Sequence, residues 1–305
     1  MTRWNVRLTV ASALLYTLAF NLTFFIQELF LVLPKAFTPG LRPTLFHNNH
    51  HWEGDSPLVG LFQGTGALAT FLTATLCAVL LWRGWGRSRG RGHGWGHGWG
   101  RGWAGGWGGS STARLFLIWM AYNGFFQSLP QVLVGAFVPA NDVGMAMDYF
   151  GLRSPAKNAA AIAALVAMPL IGYGLALAVL SLAEDRADIA SSRARGWFVF
   201  RVATLPAVIA IALILPFRVP REWIEVVLVP VVVTVIGIIW IQGSAWVVRD
   251  VSSGSGSAAR ATTATTAAPA TPVEPAAPSV APLVAAVVIL LLVFQLVLRP
   301  GIRFF

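Results

Sequence analysis

Three histidines stand at His47-x-x-His50-His51 in the stretch LFHNNHHWEGD, with Glu53 and Asp55 just behind them. Imidazole is a common ligand for zinc, copper and iron, and clustered histidines beside a carboxylate can give one ion three or four donors. His47, His50, His51 and Glu53 are therefore candidate ligands for a divalent metal such as zinc. Asn48, Asn49 and Gly54 are turn formers, and Pro39, Gly40 and Pro43 make the approach irregular, so a solvated loop is the competing reading. The other two of the five histidines, His93 and His97, fall in the low-complexity repeat GRGHGWGHGWGRGWAGGWGG.

A second set of candidates lies inside apolar runs. Glu28 sits in FFIQELFLVLP, six residues before Pro34. At 1.5 Å per residue it lies ~9 Å below the end of its helix. A carboxylate at such depth is penalised by a few kcal/mol even on the lenient insertion scale, so it needs a partner and usually has a function. Thr17, Asn21 and Glu28 share one helical face. In YNGFFQSLPQVLVG, Asn123, Gln127 and Gln131 recur at i, i+4 and i+8, a stripe that should face other helices. Gln63 adds an amide beside Gly60-x-x-x-Gly64, a close-packing pattern. Asn141 and Asp142 follow Pro139 and suit the N-cap of a short interfacial helix. Gln27, Gln63, Asn123, Gln127, Asn141 and Asp142 form the expected polar cluster, with Glu28 as its candidate catalytic group.

A glutamate late in the first helix, in QEL, and an Asn-Asp pair after SLPQVLVGAFVPA resemble the site-2-protease-like (M50) intramembrane metalloproteases. That family carries H-E-x-x-H in an early helix, and a later helix brings an aspartate to the zinc. The resemblance implies Glu28 as general base and Asp142 as third ligand. The two histidine positions are Gln27 and Leu31 here. The resemblance thus implies either a non-proteolytic relative or a metal site rebuilt with His47, His50 and His51.

The elements that must position these groups are membrane helices. The 305 residues are 56% hydrophobic and only 11% charged, against about 25% charged in a soluble domain. Mean hydropathy is +0.68. Seven spans are expected, over 6–33, 57–82, 115–139, 158–182, 197–217, 223–248 and 281–298, each near the ~20 residues that cross a bilayer. The expected class is an all-α polytopic bundle, divided as 1–83 (two helices and the histidine-rich loop), 84–111 (linker), 112–251 (four helices), 252–280 (linker) and 281–305 (last helix). The Gly/Trp/Arg/His-rich and Ser/Ala/Thr/Pro-rich linkers have compositions expected to be disordered.

The net charge of +10 does not point to nucleic acid, because the arginines sit in loops and at helix ends, where they orient a membrane protein. With the N-terminus inside, fourteen of the 22 Lys and Arg fall on the inner side and eight outside. That bias predicts N-terminus in, C-terminus out, and both polar loops outside. The single cysteine, Cys77, can form no intrachain disulfide. No phosphate loop and no serine or cysteine triad stands out. The Ala-, Arg- and Gly-rich composition suggests a bacterial plasma membrane. The expected function is a non-proteolytic membrane protein whose outward polar cluster binds a ligand, ion or partner. The alternative is a metal-dependent intramembrane hydrolase.

Overall fold

The computed structural model describes residues 6–89, 111–183, 185–248 and 279–304, with the backbone alone for 84–89 and 186. Among them the chain is an all-α polytopic bundle of eight helices with a three-stranded sheet at one end. Helix α1 is Val6–Ala36, α2 is Val59–Arg89, α3 is Ser111–Phe137, α4 is Asp142–Tyr149 and α5 is Ser154–Leu180. Helix α6 is Ser192–Arg218, α7 is Ile224–Val247 and α8 is Ala281–Leu298. Strands β1 (Arg42–Leu45), β2 (His50–Glu53) and β3 (Ile302–Arg303) complete the fold. The two predicted linkers lie outside the described residues except at their ends, where α2 continues to Arg89 and α3 begins at Ser111.

Among the described residues six helices are long and apolar enough to cross a membrane. The remaining predicted span, α3, is also 27 residues long, but its amides make it more polar. Every side chain from Ile118 to Leu129 is buried. A helix buried on all sides is enclosed by its neighbours, so its polar groups meet protein and not lipid. The core holds Tyr16 of α1 against Trp119 of α3, ring centres 4.8 Å apart and edge-on, with Tyr122 5.4 Å beyond Trp119.

Several polar atoms in this interior find partners on neighbouring helices, as hydrocarbon favours. Trp119 Nε1 donates to Ser12 Oγ at 3.0 Å, and Ser12 Oγ donates to the Val202 carbonyl at 2.6 Å. Tyr122 Oη donates to the Thr234 carbonyl at 2.7 Å. The Gly60-x-x-x-Gly64 pattern seats the short helix α4. A Cβ on Gly64 would lie 2.7 Å from Ala146 Cβ, and one on Gly60 would lie 3.3 Å from the Met145 carbonyl oxygen. Asn141 caps α4 as expected, its side chain accepting from the Val143 amide at 3.1 Å.

The histidine stretch is a β-hairpin and not a solvated loop. β1 pairs antiparallel with β2, placing Leu45 opposite His50 and Thr44 opposite His51. The Phe46 amide donates to the Asn49 carbonyl at 2.8 Å across the turn. β3 joins the other edge of β1, with Leu45 opposite Ile302. His47 and Asn48, at the turn, are buried. The hairpin, α4 and the turn between α6 and α7 gather at the end of the bundle where α1 stops.

Candidate functional site

Glu28 is 5% exposed and meets its partner across the hairpin. Glu28 Oε2 lies 2.9 Å from His50 Nδ1. The opposite ring nitrogen, Nε2, lies 3.3 Å from Gln63 Oε1 on α2, and the same Oε1 accepts from Lys35 Nζ at 2.9 Å. Trp52, stacked beside His50 on the same face of β2 with ring centres 5.7 Å apart, covers Lys35, whose Nζ is 4.4 Å from the indole centroid.

Donor and acceptor inventories assign the protons. An ammonium can only donate, so the Gln63 atom facing Lys35 is its oxygen. That oxygen also faces His50 Nε2, which must therefore carry a hydrogen. One proton is then left between His50 Nδ1 and the Glu28 carboxylate, and it holds the two together wherever it rests.

Helix α3 supplies the flanking amides. Gln131 Nε2 donates to Gln27 Oε1 at 2.9 Å and Gln127 Nε2 to Thr23 Oγ1 at 2.9 Å, tying α3 to α1. Asn123 lies deeper, bonded to the Trp119 carbonyl of its own helix. Thr17 and Asn21 likewise bond to carbonyls of α1, and of the Thr17–Asn21–Glu28 face Glu28 is the residue that lines the cavity. Asp142, in the first turn of α4, is pushed above the ordinary carboxylate range by burial. Glu28 adds to that shift, while His50 and Lys35 oppose it.

Gln27, Glu28, His50, Gln127, Asn141 and Asp142 all line one cavity of about 630 Å³. Ligand pockets fall in the range of about 300–1,000 Å³. Its lining is also apolar in part, with Phe24 of α1, Phe126 and Val134 of α3, and Leu228, Val232 and Val233 of α7. Three charged residues of this cavity were not singled out from the sequence. Arg218 closes α6, with its guanidinium carbon 4.1 Å from the Phe24 ring centroid and its Nε donating to the Glu225 carbonyl at 2.8 Å. Arg221 pairs with the Glu225 carboxylate one helical turn on. Asn48 Nδ2 donates to the Arg218 carbonyl at 2.7 Å, pinning the hairpin to the end of α6.

The four expected metal ligands do not converge. His50 and His51 are neighbours on a strand and point to opposite faces. His51 and Glu53 are exposed. His47 is buried, with neither ring nitrogen in a hydrogen bond of normal geometry. Burial holds its pKa below the ordinary histidine value, and Arg221, Arg299 and Arg218 push the same way against the Val219 backbone. His50 has both nitrogens engaged. Among the described residues no group of three or more His, Cys, Asp or Glu is placed to hold a metal ion, so the donor set does not fit zinc as arranged. No protein-family model, curated protein or solved structure matches the chain.

Proposed function

We propose that this multi-pass membrane protein binds a small amphiphilic molecule in the cavity between α1, α3 and α7, in a bacterial plasma membrane and on its outer side. One observation carries the reading. Glu28, His50 and Asp142 come from three separate elements to the same cavity, whose lining also carries many apolar side chains. A mostly apolar cleft with a few convergent polar groups is the usual form of a small-molecule site. Side chains that served packing alone would leave no such space in a close-packed interior.

The test is to fill the space. Val233→Trp places an indole at a residue that lines the cavity. Binding of long-chain amphiphiles to purified full-length protein in uncharged detergent should fall at least tenfold, with elution still monodisperse. Unchanged binding by this variant and by Val134→Trp would sink the reading.

A metal-dependent hydrolase is the second reading. The approach of Asp142 to Glu28 and His50, felt in the Asp142 pKa, favours it. It requires His50 to give up Gln63 or Glu28 to free a nitrogen for metal. Zinc titration of the purified protein decides it. Stoichiometric uptake that is lost in His50→Gln supports the hydrolase, and uptake indifferent to that change removes it.

A further inference from the structure

The polar wall of the cavity carries charges that can be set against one another in turn. Glu28 is held by His50. Glu225 is held by Arg221. Asp142 stands in the first turn of α4, where burial favours its neutral form and His50 and Lys35 favour its charge, and it makes no ion pair with Arg218. Arg218 is left. It is 3% exposed, and among the described residues no carboxylate lies within 4.0 Å of it. Its polar contact is one backbone carbonyl, and its flat face lies on Phe24, itself a residue of the cavity.

The charge of Glu28 reaches Arg218 only from beyond ion-pair distance, and a buried guanidinium with no carboxylate in contact is disfavoured, such groups being ordinarily paired. The fork of Arg matches carboxylate and phosphate oxygens bidentately, which a point charge does not. The surroundings reinforce the sign. Arg221 and Arg299 act with Arg218 on His47 next to the cavity, and Lys35 stands behind Gln63. Beyond Arg218 the lining turns apolar, through Phe24, Phe126, Leu228 and Val232.

We infer that the cavity takes the anionic head of a single-chain amphiphile, a carboxylate or a phosphate monoester, against the Arg218 guanidinium, with the chain along the α7 wall. The inference rests on the binding reading above and gives it a ligand class. Arg218 is the residue that selects charge. Glu28 and His50, which neutralise each other, set the shape of the head's other side.

The experiment uses full-length protein in uncharged detergent and probes with one tail and different heads. These are laurate, dodecyl phosphate, dodecanol and dodecyltrimethylammonium, with inorganic phosphate as the headgroup alone. Laurate or dodecyl phosphate should bind at least tenfold tighter than dodecanol and the cationic probe, and whichever of the two binds tighter names the head. Inorganic phosphate should displace neither at millimolar concentration. Arg218→Gln should bind the anionic probes no better than dodecanol, and Arg218→Lys should keep part of the preference. Should Arg218→Gln not fold, the ranking of heads on the unaltered protein still decides. Equal binding of all tails overturns the charge inference and leaves the cavity reading standing. Displacement by inorganic phosphate at equal affinity overturns the amphiphile. Binding of no probe at all overturns both.

Discussion

His50 Nδ1 stands 2.9 Å from Glu28 Oε2, a contact between residues 22 positions apart that joins a strand to a membrane helix. Both side chains are less than one-tenth exposed, so each depends on the other. His50→Ala leaves a buried carboxylate without its partner and should cost about 3–5 kcal/mol, the range for breaking a buried pair. Glu28→Gln keeps the shape and an acceptor, and should cost about 1–3 kcal/mol. The double variant should cost less than the two singles together. Unfolding of detergent-solubilised protein measures all three, and strict additivity would show that the contact carries no coupling.

Buried His47 and half-buried Asp142 should tilt stability with pH in opposite senses. The folded-state pKa of His47 is depressed, so its contribution is present above the unfolded value of about 6.5 and lost as pH falls through the folded value. That of Asp142 is raised, so its contribution is present below the unfolded value of about 3.9 and lost as pH rises through the folded value. His47→Phe should lessen the loss of melting temperature on acidification below pH 6.5. Asp142→Asn should lessen the loss on going upward from about pH 4. Melting curves from pH 4 to 8 for the three proteins check both signs.

Asn48 is the latch between hairpin and bundle, through its 2.7 Å bond to the Arg218 carbonyl. Asn48→Ala should cost about 1–3 kcal/mol, the range for a buried acceptor deprived of its donor. The backbone amides of β1 and β2 should also exchange hydrogen faster, while those of α3 stay as slow as before. Acceleration spread evenly over the bundle would assign Asn48 to global stability instead.

The hairpin and α4 should be reached from the same side of the membrane. In a Cys77→Ala background, Asp55→Cys and Leu152→Cys place exposed thiols on the two segments. Both should react with an impermeant maleimide in intact cells. Reaction of one alone would contradict the shared end, and reaction of both only after permeabilisation would reverse the charge-based orientation.

The reach of the sequence differed from residue to residue. Glu28 and Asp142 were legible because an ionisable group in or beside an apolar run is expensive wherever the chain goes. Glu28 contacts His50 directly, and Asp142 lines the same cavity. His47, His51 and Glu53 did not join it, because strand pairing fixes alternate faces and a four-residue strand carries too little pattern to be seen beforehand. The third strand comes from residues more than 250 positions away. Arg218 read as an ordinary cation at a helix end, a favourable place for one by the helix dipole. Only the approach of α1 and the hairpin turns it into a buried cavity wall. Lys35 was counted for orientation alone, since Gln63 and Trp52 reach it through tertiary packing.

The enclosure of α3 bears on how the protein is made. A segment leaving the translocon is judged by its own apolarity, and among the described residues α3 is the one long helix that falls short by composition. Two of its amides, Gln127 and Gln131, donate to α1, at Thr23 and Gln27. Helix α1 is synthesised first, so it can wait at the site of insertion as a polar-matched surface for α3. Biogenesis then becomes cooperative: the third helix enters lipid as half of a pair, and an error in the first helix is inherited by the third before any tertiary structure exists.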